Sequence, residues 1–151
     1  MTLVRFLHVV GIALWLGAGA VALLFATAAR QDTPMRLPRV LLLGRIYALL
    51  IAPGAMLATA SGLALTMIAT SGGDSARLGE PALAAMQSMG LLAGILEIFV
   101  AFPTARRLTG AGIAAMDGAA WAGERLRARL VVLLWIDLTL VVASTYLGLL
   151  G

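Results

Sequence analysis

Leu3–Ala29 reads LVRFLHVVGIALWLGAGAVALLFATAA and carries a single charge, Arg5, near its start. Crossing the hydrocarbon core takes about 20 apolar residues, so this stretch is long enough to span a bilayer. Three more runs of the same kind follow, at about 40–70, 81–104 and 130–150. Backbone groups in lipid must find partners within their own segment, which makes each run a helix. The expected fold is all-α: a polytopic membrane protein built as a bundle of four transmembrane helices. Residues 1–151 read as a single membrane domain.

Composition points the same way. Hydrophobic residues make up 62% of the chain and charged residues 12%, against roughly 45–50% and 25% in soluble domains. Mean hydropathy is +1.02. The net charge is +4, and all eleven basic residues are arginine. These arginines cluster between the apolar runs, with no basic face interleaved with aromatics, so they read as orientation signals and not as a nucleic-acid surface. The absence of cysteine excludes disulfides, iron–sulfur clusters and thiol catalysis. No catalytic triad, phosphate loop or zinc motif is present. Ala26-Thr27-Ala28 resembles a signal-peptidase site, but three further spans follow, and the first run is read as a retained helix.

Arginine counts set the expected orientation. Arg30, Arg36 and Arg39 follow the first run. Arg106, Arg107, Arg125, Arg127 and Arg129 lie between the third and fourth, and only Arg77 lies between the second and third. The positive-inside rule then puts the first and third connections in the cytoplasm and both termini on the other side, although Arg5 opposes this. Ser71-Gly72-Gly73-Asp74-Ser75 is a turn-rich segment. Gly112 to Trp121 reads either as a surface-lying segment with Trp121 at headgroup level or as an ordinary loop. Gly54, Ala58 and Gly62 recur every four residues, and Gly11, Ala18 and Ala22 share a side with His8 and Trp15. Small residues at such spacing let helices approach closely, within the bundle, in a homo-oligomer or in a larger membrane complex.

Polar groups inside a membrane are costly and mark candidate sites. His8 is the sole histidine, and Trp15 lies on nearly the same helix face seven residues later. Met56, Met67, Met86 and Met89 are expected at the same end of the bundle. Imidazole with thioether suits haem iron or soft copper, while methionine also fills gaps between helices. Arg45, Glu97 and Asp137 are expected together in the cytoplasmic third as a buried ion cluster. Such a cluster is a structural clamp, a proton path or an anchor for an anionic group.

Leu7-His8-Val9-Val10-Gly11-Ile12-Ala13-Leu14-Trp15 and Arg45-Ile46-Tyr47, with Pro53 and Gly62 following, resemble a superfamily of small four-helix membrane proteins. It contains the HemJ-type protoporphyrinogen oxidases, the CopD-type copper-resistance proteins and uncharacterised relatives. The resemblance covers roughly the first 65 residues, and Phe102-Pro103-Thr104-Ala105-Arg106-Arg107-Leu108 is most like the uncharacterised relatives. It implies haem b binding at His8, with Trp15, Arg45, Tyr47 and Met89 as further cofactor contacts. The CopD-type alternative implies copper handling by His8, Met86 and Met89, and a non-catalytic membrane subunit remains a third reading. The HemJ-type third-helix lysine has no counterpart, since the chain contains no lysine. Protoporphyrinogen oxidation is therefore not carried over. A bacterial inner membrane is the expected location.

Overall fold

The computed structural model describes residues 2–28, 36–71 and 81–150. Among the described residues, four helices are long and apolar enough to cross a membrane. We number them α1 (Thr2–Ala28), α2 (Arg36–Thr70), α3 (Pro81–Met116) and α4 (Glu124–Leu150). Arg30, Arg77 and most of the turn-rich segment, from Gly72 onward, lie outside the described residues.

The middle two helices exceed the lengths expected from hydropathy. α2 begins at Arg36 and α3 runs on to Met116. Gly112 to Met116 therefore continues α3, and Trp121 belongs to a short connection instead of a surface-lying helix. Hydropathy finds only the part of a helix that needs lipid. Past that depth, one face still packs inward: Leu108 and Gly112 of α3 are buried, and Gly112 sits on Val40 of α2, while Ile113 and Met116 are exposed. Trp121 is half-buried, with the Arg36 guanidinium 5.7 Å from its ring centre. That distance suits a cation–π contact.

The core is built mainly from small residues, and large apolar side chains such as Leu3, Phe6, Leu49, Phe99 and Trp135 face outward. Lipid is as apolar as leucine, so helix contact in a membrane relies on close packing. The α1–α2 seam brings backbone against backbone. A Cβ on Gly11 would lie 2.5 Å from the Ala58 nitrogen, and one on Gly54 would lie 2.9 Å from the Trp15 nitrogen. α3 and α4 pack through Gly90 on Ser144 and Gly148 on Met86. α2 meets α3 where Gly94 accommodates Thr59 and Gly44 accommodates Thr109.

One end of the bundle, the arginine end, is held by side chains that cap α1. Arg39 Nη1 donates to the Ala28 carbonyl at 2.9 Å, and Arg127 Nη1 donates to the Ala26 carbonyl at 3.0 Å. The last carbonyls of a helix have no partner within it, and cations there also meet the negative end of the dipole. Arg127 is buried and also pairs with Glu124. It is thus part of the bundle as well as part of the arginine-rich connection.

α2 and α3 each contain a π-helical turn, Tyr47–Ile51 and Glu97–Ala101. The Ala52 N–H reaches back to the Tyr47 carbonyl, and the Phe102 N–H to that of Glu97. Each turn precedes a proline, Pro53 or Pro103. Proline has no N–H and its ring crowds the preceding turn. A π turn is one of the local adjustments that accommodate it inside a membrane.

Candidate functional site

Two polar sites lie within the bundle at different depths. The deeper one takes one side chain from each helix. Trp15 is the central residue of α1, and Asp137 that of α4. The Trp15 indole N–H donates to Asp137 Oδ2 at 2.7 Å. Tyr47 and Glu97 open the two π turns, and both are buried. Tyr47 lies within electrostatic reach of both carboxyl groups, and these lie within reach of each other.

Four oxygens here have no hydrogen-bond partner among the described residues: Tyr47 Oη, Glu97 Oε1 and Oε2, and Asp137 Oδ1. A buried polar group without a partner costs roughly 1–3 kcal/mol, and a well-packed apolar core would avoid that cost. The cluster is therefore a poor device for stability alone, and intramembrane ionisable groups are functional candidates by default.

The expected ion cluster needs correction in two respects. Arg45 is exposed and does not join Glu97 and Asp137. Successive helical residues turn by about 100°, so Arg45 and Tyr47 face nearly opposite ways, and Tyr47 faces inward. The acids also sit about halfway along α3 and α4, deeper than the cytoplasmic third. Sequence reasoning placed Trp15 and Tyr47 only among cofactor contacts. The inward face of α2, traced back from Ala58 through Gly54, Ile51 and Tyr47 to Leu43, is the signal that locates Tyr47 in the core.

The second site surrounds His8, at the end of the bundle opposite Arg39 and Arg127. Its Nδ1 is 2.9 Å from the Ala58 carbonyl and 3.2 Å from Ser61 Oγ. A carbonyl only accepts, so Nδ1 carries a hydrogen and donates it to Ala58. Gly62 provides the seat, because a Cβ there would come within 3.1 Å of His8 Cε1. The helix-one histidine and the helix-two glycine of the motif thus meet directly.

The methionines divide. Met56 and Met67 are exposed, at 59% and 71%, and face away from the bundle. Met86 is half-buried, packs on Gly148, and its carbonyl accepts from Ser144 Oγ at 2.8 Å. Met89 lies between Gln87, which bonds Thr66, and Gly94, which packs on Thr59. That places Met89 at about the depth of Gly62 and His8. No group of three or more His, Cys, Asp or Glu side chains suited to a metal ion occurs among the described residues. A shallow apolar groove of about 320 Å³ between Gly17 of α1 and Leu50 of α2 opens outward and includes neither site.

The fold and these sites define a class: a small, all-helical bundle with four candidate membrane spans and polar groups buried at its centre. Comparison with known proteins finds no matching family model, no matching curated protein and no matching solved structure.

Proposed function

We propose that this chain is a haem b-binding integral membrane protein in which His8 is an axial ligand. The observation that supports this most is the His8 hydrogen bond. With Nδ1–H donated to the Ala58 carbonyl, the ring is fixed and Nε2 is left as a ligand atom. Haem- and metal-binding histidines characteristically use a backbone carbonyl in this way. The resemblance to the HemJ- and CopD-type superfamily adds to it, since in that motif Gly62 seats the His8 ring and Gly54 receives the α1 backbone beside Trp15.

The residues present fit one axial position, and Met89, at similar depth, is the candidate for a second. Haem held there would supply a one-electron redox centre. Arg45 is not a propionate partner in this reading. It lies thirteen residues from Ala58, on the order of 20 Å along the helix. Trp15 and Tyr47 belong to the deeper site. By the arginine distribution, the arginine end faces the cytoplasm of a bacterial cell and the His8 end faces outward.

The absorption spectrum of protein purified from haem-replete cells tests this. A Soret band is expected, lost in His8→Ala and retained in Ser61→Ala. A colourless protein that binds Cu(I) through His8 and Met89 would replace haem with copper. A colourless protein that takes up neither would leave a membrane subunit in which His8 only packs.

A further inference from the structure

The central cluster serves no role in the haem reading and carries an inference of its own. Three observations bear on what it binds. Its two acids, Glu97 and Asp137, lie within electrostatic reach of each other, and neither accepts a hydrogen bond from an arginine among the described residues. Tyr47, 1% exposed, brings an unpartnered hydroxyl to the same place from a third helix. Trp15, the contribution of α1, provides the hydrogen-bond donor engaged there among the described residues, and gives it to Asp137.

Two carboxylates in a low-dielectric interior do not both stay ionised without a cation. Hydrogen bonding to a charged form favours that form. Asp137 receives the Trp15 N–H, so it is the better anion. Glu97 receives no donor, and each of its oxygens is unpartnered and buried. Among the described residues, the titratable group acting with the Glu97–Asp137 pair is then Tyr47 from α2, while α1 presents Trp15 there.

We propose that Trp15, Tyr47, Glu97 and Asp137 form a mid-membrane binding site for one exchangeable proton, which rests on the Glu97 carboxyl group. The proton comes from water, and its release leaves Glu97 as carboxylate. Tyr47 provides a hydroxyl that donates to the ionised form or accepts from the protonated one. The π turn places Glu97 on the inward face, and the proline after it withholds an N–H from the same turn, so this stretch of α3 is less rigidly bonded than a regular helix.

Infrared spectroscopy of the full chain in lipid nanodiscs tests the proposal. The wild type is expected to show the carbonyl stretch of a protonated carboxylic acid at neutral pH, shifted in heavy water and lost in Glu97→Gln. Asp137→Asn and Tyr47→Phe should keep the band and move it. Isotope labelling of glutamate in the unaltered chain should displace the band, and labelling of aspartate should not. This arm needs no variant to fold. The proposal is overturned if the wild type has no such band, if the band follows the aspartate label, or if sodium or calcium ions abolish it, the last result marking a metal-cation site.

Discussion

α2 and α3 contain the same interruption and use it for different side chains. In each, a π turn opens six residues before a proline, and its first residue faces the centre of the bundle. The inward faces also match in order: Leu43, Tyr47, Ile51, Gly54, Ala55 and Ala58 in α2, and Ala93, Glu97, Ala101, Thr104, Ala105 and Leu108 in α3. The turn thus places a residue at the centre whatever its chemistry. α2 fills that position with a phenol and α3 with a carboxyl group. They differ again two inward positions further on, where α2 has Gly54 against the α1 backbone and α3 has Thr104, bonded to its own Val100 carbonyl.

The difference is testable by making one helix resemble the other. Tyr47→Glu would place a third carboxyl group at the centre. It is expected to destabilise the bundle by about 3–5 kcal/mol, as an uncompensated buried charge does. Unfolding of the detergent-solubilised protein should show a lower midpoint, and little folded protein should be recovered. Gly54→Thr, which copies α3 into α2, should cost about 2–3 kcal/mol through overpacking against the α1 backbone. The reverse change, Thr104→Gly, meets no such contact and should cost less. Equal losses would show that the two seams are equivalent after all.

Trp15→Phe keeps the ring but removes the donor to Asp137. A loss of about 1–2 kcal/mol is expected from the missing hydrogen bond, measured by the same unfolding curve. The smallest effects belong to the prolines. Pro53→Ala and Pro103→Ala restore an N–H to each helix, so amide hydrogen exchange should slow in Ala48–Ile51 and Ile98–Ala101 respectively. The stability change is expected to stay within about 1 kcal/mol. Slowing in only one helix would show that the two interruptions have different causes.

The four spans were legible because apolar run length is a direct consequence of the solvent. Their ends were less so. Residues 36–39 and 105–116 continue helices past the hydrophobic runs, where packing on a neighbouring helix maintains them. At the centre, Glu97 and Asp137 were legible as costly groups in an apolar run, but their partner was misjudged. Arg45 is near Tyr47 in sequence and on the other side of the helix in space, and only the helical phase separates them. Trp15 drew attention through its spacing from His8, yet its N–H points to α4, 122 residues away in sequence. Nothing in a local pattern encodes that pairing.

The capping of α1 bears on how the chain is made. Its Ala28 carbonyl is met by Arg39, which leaves the ribosome soon after α1, whereas its Ala26 carbonyl is met by Arg127, at the start of the last helix. The first of these four helices is therefore completed by the fourth. During synthesis the α1–α2 hairpin, with its backbones in contact at Gly11 and Gly54, has what it needs to assemble early, while α4 enters as the closing piece and brings Asp137 to Trp15 in the same event.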